Sequence, residues 1–424
     1  MKKERRITII GGGIIGLFSA YYLVKAGYKV EIIDQSDGVD GCSHGNAGMV
    51  VPSHFIPLAA PGMLEKGIKW MFDAESPFYV KPRLNWDLVR WGYQFYKSAT
   101  QKKVNEAIPA LRDYGLLSKQ LYHDVALENV FSFNYEEKGL LMLCKSHETW
   151  EEEAKVAEIA NQIGIKAHVV GSSEIQKLEP TAGVDALGGV FYSGDAHLSP
   201  NLLVKQLRSY LEKEGVVFMF TTQVENVVVS NQEISSLVLR KGEESTLHSV
   251  QELVVAGGAW SSTLAKKMNF FMPLQAGKGY SVSLSQKEAQ RIQIPSILLE
   301  ARVAVTPMGE ETIRFGGTME IGGAPNEIDM RRVKGIIQSI PKYYRNYPIS
   351  MPKKEEVWHG LRPCAPDGLP YVGKLKTLKN VIIASGHAMM GLSLAPATGL
   401  IVSELIEDKK PSIELELYQP ERFY

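Results

Sequence analysis

The sequence predicts a two-domain α/β protein whose chain passes between its domains several times. Three observations carry this reading. The chain opens as strand, glycine turn, helix and second strand. A buried apolar run at 251–256 ends in another glycine turn, and 380–385 does the same before a final apolar helix. Each is a strand end of the kind that faces a nucleotide in a parallel sheet. They lie at the start, the middle and the end of 424 residues, so a second domain must be built from the segments between them.

The opening unit is Ile7-Thr8-Ile9-Ile10-Gly11-Gly12-Gly13-Ile14-Ile15-Gly16, followed by a strand over 29–33 that ends in Asp34. Gly11 permits the tight turn, Gly13 lets backbone approach a pyrophosphate, and Gly16 lets the helix pack close to the sheet. The helix N-terminus offers unpaired N–H groups and the positive end of its dipole. Asp34 is placed to accept from ribose hydroxyls and would repel a 2′-phosphate. Gly11, Gly13, Ile14, Ile15, Gly16, Asp34 and Gln35 are the expected wall of this site. The motif by itself suits NAD and FAD equally.

Composition narrows the class. The 47 Lys and Arg residues balance 47 Asp and Glu residues, so no overall field favours nucleic acid. Cys42, Cys144 and Cys364 make no disulfide framework, and no C-x-x-C pair suggests a metal site. A reducing, cytoplasmic setting is expected. The start, Met-Lys-Lys-Glu-Arg-Arg, does not read as a signal peptide, and no apolar run is long enough to span a bilayer. Residues 57–80 are dense in apolar and aromatic side chains, among them Leu58-Ala59-Ala60-Pro61-Gly62 and Lys69-Trp70-Met71-Phe72. They read either as a loop on its own core or as peripheral membrane contact at the inner face of the plasma membrane.

Helical spacing is expected over 87–129 and 148–163. Ser199 and Pro200 start a helix that stops near Glu214-Gly215. Alternating strands follow over 216–239, with further strand-like runs at 280–284, 301–307 and 312–316, and a closing helix over 391–406. These elements assign 1–53, 148–263 and 360–424 to the cofactor domain, and 54–147 and 264–359 to a substrate domain.

Four more stretches bear on chemistry. Gly41-Cys42-Ser43-His44-Gly45-Asn46-Ala47-Gly48-Met49 follows the acid-tipped strand, where small residues let backbone reach a flat ring or its phosphates. Ala256-Gly257-Gly258-Ala259-Trp260 is a second strand end toward the same ligand. Gly360-Leu361-Arg362-Pro363, then Pro366-Asp367-Gly368-Leu369-Pro370, sets one arginine in a turn-rich stretch. Gly386-His387-Ala388-Met389-Met390-Gly391-Leu392-Ser393 leads into the last helix, whose N-terminus would stabilise negative charge. Cofactor contacts are therefore expected at Cys42, Ser43, Asn46, Ala47, Gly48, Met49, Ala256, Gly257, Gly258, Trp260, Gly386, His387, Met390, Gly391, Leu392 and Ser393.

Taken in order, these five motifs resemble the FAD-dependent D-amino-acid oxidase superfamily, over nearly the whole chain. The branch is the one holding glycine oxidase and the bacterial D-amino acid dehydrogenases. The 59–72 segment and Lys278-Gly279-Tyr280-Ser281 are most similar to the small subunit of the dehydrogenases, a group that includes D-hydroxyproline dehydrogenases. The resemblance implies a Rossmann-like FAD domain interleaved with an antiparallel-sheet substrate domain, FAD at their interface, and Val224 against the adenine. It implies that Arg362 holds the substrate carboxylate. The reaction implied is oxidative deamination of a D-amino acid, D-proline or D-hydroxyproline included, by hydride transfer from Cα to flavin N5. Electrons would pass to a quinone or other carrier. Three other readings stand beside it: an oxygen-using oxidase of the amine or glycine type, a flavin subunit of a heteromeric complex, and an NAD-dependent dehydrogenase that explains only the first motif.

A planar guanidinium grips a carboxylate bidentately and so fixes the reacting carbon better than lysine does. Tyr280 is either a hydroxyl donor to that carboxylate or a core aromatic. Lys278, Glu320 and Cys364 are expected to be structural, and His387 to be a hydrogen-bond partner near the flavin. Some relatives tether flavin through a histidine near His44, but the spacing to Ala47-Gly48 is off by one, so non-covalent FAD is expected. With Arg362 as the one evident charge, a neutral side chain is expected on the substrate.

Overall fold

The strand Arg6–Ile10 lies at the heart of a parallel layer, paired on one side with Lys29–Ile33 and on the other with Glu252–Val255. In the computed structural model, which describes residues 5–39, 41–62, 78–80, 85–322 and 327–424, this layer has six strands. Val217–Met219 extends one edge, and Val381–Ser385 and then the antiparallel Tyr371–Lys374 extend the other. The strands are apolar on both faces because both are covered: Ile7, Ile9, Val30 and Ile32 face helices, while Ile10, Ile33, Leu253 and Val255 face Val224, Ile234, Leu237 and Leu239 of an antiparallel ribbon. The helices Ile14–Lys25, Pro200–Lys213 and Ala395–Ile406 pack into one core with the sheet. Gly399 makes this close approach feasible: a Cβ there would lie 2.5 Å from the backbone of Phe18.

A second, nine-stranded mixed sheet faces that layer. Along its path run Val357–Cys364, Gln275–Ser285, Thr312–Ile321, Val303–Pro307, Ser296–Leu298, Leu140–Cys144, Gly188–Tyr192 and Ala167–Gly171, with Phe78–Val80 beside Thr312–Ile321. The helix Met330–Tyr343 covers its far face through Val333, Ile336, Ile337 and Ile340. A three-stranded antiparallel ribbon, Gln223–Ser230, Glu233–Lys241 and Glu244–Ser249, completes the sheets beside the first layer.

Strand pairing does not follow the expected boundaries. Residues 148–192 do not belong with the first layer, because Ala167–Gly171 and Gly188–Tyr192 pair into the nine-stranded sheet. The boundary expected at 359/360 also falls later, since Val357–Cys364 is wholly a strand of the large sheet. Within 54–147, the helix Gln101–Leu127 leans on the cofactor layer: the Tyr122 hydroxyl donates to the Leu392 carbonyl at 2.7 Å, and Tyr114 bonds Thr398 at 2.7 Å. The helix expected over 87–129 is two, Trp86–Ser98 and Gln101–Leu127, each with a side-chain N-cap, Asn85 and Thr100. Residues 63–77 of the apolar segment lie outside the described residues. Among the described residues no helix is long and apolar enough to cross a membrane, and no cluster of side chains is suited to a metal ion.

Candidate active site

The two sheets enclose a cavity of about 670 Å³ that runs from the first glycine turn to Arg362. Its cofactor end is shaped by missing side chains. Gly11 has φ +111°, and a Cβ on it would lie 2.3 Å from the Ala256 carbonyl oxygen; one on Gly16 would lie 1.9 Å from the Gly11 carbonyl oxygen. Gly11 thus makes the turn and Gly16 seats the helix under it. Asp34 stands at the strand end, where Oδ2 accepts from the Gly12 N–H (2.6 Å) and Oδ1 from the N–H and hydroxyl of Ser36 (2.7 Å each). These bonds fix the carboxylate on the cavity wall, in reach of a ribose. Ser43 Oγ accepts from the Ile14 N–H at 3.1 Å and so ties the second loop to the helix start.

Most residues expected to touch the cofactor line this cavity: Gly11, Gly13, Ile14, Ile15, Asp34, Gln35, Cys42, Ser43, Asn46, Ala47, Met49, Val224, Ala256, Gly257, Gly258, Trp260, His387, Met390, Gly391, Leu392 and Ser393. Three do not, and act one step behind it. Gly16 is one. Gly48 (φ +76°) turns the loop where a Cβ would lie 2.3 Å from the Leu198 carbonyl oxygen, and Gly386 (φ +80°) does so against the Tyr371 ring. Val224 presents its backbone, its carbonyl accepting from Lys267 Nζ at 2.7 Å. His387 is buried, with Nε2 bonded to Thr398 Oγ1 at 2.9 Å, and burial lowers its pKa to about 3.

The other wall is one face of the large sheet. Register brings Met142, Ile297, Ala304, Gly316, Ser281 and Trp358 into a single cross-strand row, all on the cavity. The strand Val357–Cys364 brings Arg362 to that face, beside Gln275–Ser285. Its guanidinium lies across Gly279, where a Cβ would be 2.2 Å from Nη1, and Nη1 donates to the Thr318 carbonyl at 2.6 Å. Burial pushes the Arg362 pKa down without removing its charge. Its remaining donors have no protein acceptor among the described residues and open on the cavity.

Tyr280 requires a correction. Its row, Leu143, Leu298, Val303, Gly317 and Tyr280, is on the opposite face, toward the helix Met330–Tyr343; a Cβ on Gly317 would meet Ile336 at 3.1 Å. The Tyr280 ring is 1% exposed in that core, its hydroxyl donating to Glu320 Oε2 at 3.1 Å and accepting from the Asp329 N–H at 3.2 Å. Tyr280 borders the cavity, but its ring and hydroxyl are held in this core, so its contacts are those of a core aromatic rather than of a donor to the substrate. Lys278 shares that side: Nζ donates to the Glu327 carbonyl (2.5 Å) and lies 3.8 Å from Glu320.

Several residues of the site were not foreseen. Arg314, 8% exposed, donates through Nη1 to the carbonyls of His44 (3.1 Å) and Asn46 (2.8 Å) and through Nε to Ser283 Oγ (3.0 Å). Ser281 Oγ donates to the Gly45 carbonyl at 2.9 Å. Together they pin the 44–46 loop to the large sheet, while Gly45 leaves room for the Trp358 ring. A second guanidinium, Arg302 (φ +52°), also lines the cavity, so the expectation of a single cavity charge is corrected.

A parallel layer with a glycine turn and acid, sharing a deep cavity with a mixed sheet that carries a buried arginine, defines a two-domain flavoenzyme. The chain belongs to the FAD dependent oxidoreductase family, whose model matches residues 6–405. It is 31% identical over 408 residues to the D-amino acid dehydrogenase of Helicobacter pylori strain J99, covering 96% of each chain. Among solved structures, glycine oxidase from Geobacillus kaustophilus aligns with TM-score 0.77 at 20% identity, covering 99% of each chain. L-proline dehydrogenase from P. horikoshii aligns with TM-score 0.74 at 20% identity, covering 100% of this chain and 98% of that one. FAD is the cofactor, and the residues present fit it: the glycine turn and the Ile14–Lys25 N-terminus for pyrophosphate, Asp34 for ribose, and the 256–260 and 386–393 turns for the ring.

Proposed function

We propose that the protein is a dehydrogenase of D-amino acids that transfers electrons to a quinone or another carrier. The observation that carries this is Arg362, a guanidinium with one arm tied to the Thr318 carbonyl and the rest open on the cavity. A fork of donors in an enclosed site selects a carboxylate and restricts its rotation. FAD, when bound, supplies the two-electron acceptor. The protein contributes position: Arg362 takes the carboxylate, the apolar row of Met142, Ile297 and Ala304 takes a side chain, and reacting atoms are held near contact distance. That row suits small neutral side chains, D-proline and D-hydroxyproline among them. The relatives' name supports the D configuration.

The test is anaerobic mixing of the purified yellow protein with D- and L-amino acids. Bleaching of the visible flavin band by D- but not L-isomers is the expected result. Bleaching by the L-isomers alone, or by none, overturns the reading. Turnover of the single chain with an artificial dye, without peroxide, supports the dehydrogenase; stoichiometric peroxide in air identifies an oxidase instead. Bleaching without dye turnover identifies a subunit that needs a partner.

A further inference from the structure

His54 lines the same cavity and has no part in the assignments above. It closes a turn, its N–H donating to the Val51 carbonyl at 3.0 Å. The segment runs on to Leu58, which abuts Gly368, and to Ala59, which packs with Met319 and Cys364. Met319 follows Thr318, the residue whose carbonyl holds Arg362, and Cys364 ends the strand that carries Arg362. The segment that carries His54 on the cavity wall therefore runs on, through Leu58 and Ala59, to the strands that hold Arg362.

The ring is oriented from behind. Asp195, 1% exposed, accepts from the Ser53 N–H at 3.2 Å and from the Ser53 hydroxyl. An ionised carboxylate can only accept. Above the value of about 7 to which burial raises the Asp195 carboxyl, that group is ionised, so the single Ser53 hydroxyl proton is committed to it and Ser53 Oγ offers a lone pair to His54 Nδ1, 3.3 Å away. The His54 proton then sits on Nδ1, and Nε2 keeps its lone pair. Among the described residues Nε2 has no protein partner. Burial also lowers the pKa of His54 to about 4, so the ring is a neutral acceptor at ordinary pH.

We propose that His54 Nε2 accepts an N–H of the substrate's α-amino group, giving the cavity a second fixed point opposite the carboxylate clamp of Arg362. This rests on the reading that the substrate is an amino acid. Two-point holding fixes the remaining rotation of the α-carbon, and an amine held by a neutral acceptor is not driven to carry the proton.

The test compares two ligands that cannot be oxidised at an α-carbon, benzoate and 2-aminobenzoate, titrated into the FAD-loaded protein by the shift of its visible spectrum. Alkaline buffer, above the value of about 7 to which burial raises the Asp195 carboxyl, keeps that group ionised. Wild type is expected to prefer 2-aminobenzoate by about three- to tenfold, the worth of one neutral hydrogen bond. His54→Leu should abolish the preference while benzoate affinity stays within about twofold. His54→Gln, which can still present an acceptor, should restore part of it, and Ser53→Ala, which frees the tautomer, should reduce it. Should His54→Leu lose its flavin, the Gln and Ser53→Ala variants carry the same test. Equal affinities in wild type, or parallel loss of both ligands in flavin-loaded variants, overturns the proposal. Bleaching of wild type by D-amino acids reads the substrate assignment separately, so bleaching with no amine preference would sink His54 alone.

Discussion

The guanidinium of Arg362 lies across Gly279, so closely that a Cβ on the glycine would stand 2.2 Å from Nη1 and 2.3 Å from Nη2. The two residues sit two register positions apart on paired strands, and so on one face, Gly277 facing Arg362 and Gly279 facing Gly360. The absence of a side chain at 279 is what lets the arginine lie flat against the sheet with its donors toward the cavity. Gly279→Ala should therefore displace the end of a flexible side chain and leave the fold intact. Its kcat/KM for the amino acid should fall about tenfold or more with flavin content unchanged, measured by steady-state dye reduction and the flavin-to-protein absorbance ratio. Unchanged kinetics would show that the arginine's pose does not matter.

Arg362→Ala removes the clamp itself. Charge-assisted bonds contribute about 1.5–3 kcal/mol, so kcat/KM should fall by roughly ten- to 150-fold, with KM raised. Arg362→Lys keeps the charge but loses the fork, and should recover only part of the loss. A lysine variant with wild-type kinetics would reduce the role to bulk electrostatics.

Much of the cofactor end was legible because its signals are local. A glycine at 11 or 16 states a backbone requirement within its own turn, and Ser199, Pro200 and Gly215 bracket the observed helix Pro200–Lys213. The large sheet was less legible because its order depends on pairing between distant segments. Leu140–Cys144 and Gly188–Tyr192 are short apolar runs that periodicity cannot tell from helix, and their partners lie over 40 residues away in the case of Leu140–Cys144 and Gly188–Tyr192 themselves. Tyr280 failed for a related reason: which face it takes follows from the register Tyr280 to Gly317 and His359, which no local pattern fixes. Arg314 could have been found, as a charge set between Ile313 and Phe315 in a buried strand. His54 carries no periodic signal, and only the fold brings it to the cavity.

Tyr280→Phe tests that correction. The hydroxyl bridges Glu320 and the Asp329 N–H within the helix-covered core, so its loss should lower Tm, with a cost of about 1–3 kcal/mol for the partners left behind. Because the ring and hydroxyl are held in that core, kcat/KM should stay within about threefold of wild type. A large kinetic loss with unchanged Tm would reinstate the tyrosine in the site.

Asp34→Ala should weaken FAD retention. The carboxylate organises the turn through Gly12 and Ser36 as well as facing the ribose position, so both the cradle and the contact are lost together. The measurement is the flavin-to-protein ratio after gel filtration, and recovery of the full yellow colour on adding FAD at high concentration. A variant that purifies with its whole complement of flavin would remove Asp34 from cofactor binding.

His387 predicts how acid destabilises the fold. Buried beside Thr398, it is held neutral, with its pKa lowered to about 3, whereas an unfolded histidine titrates near about 6.5. Between those values the unfolded chain binds more protons than the native one, so stability rises with pH across that window. The contribution is whole above about pH 6.5 and is lost as pH falls toward the folded value. Asp195 acts with the opposite sign, since burial raises its pKa to about 7 and the folded state there holds the extra proton. The comparison must therefore be variant against wild type, in which the Asp195 contribution cancels. His387→Asn, which has no charge to acquire, should lose less Tm than wild type on moving from neutral to mildly acidic buffer, even if it starts from a lower Tm. Parallel Tm curves for the two proteins would mean that His387 is not held neutral by burial.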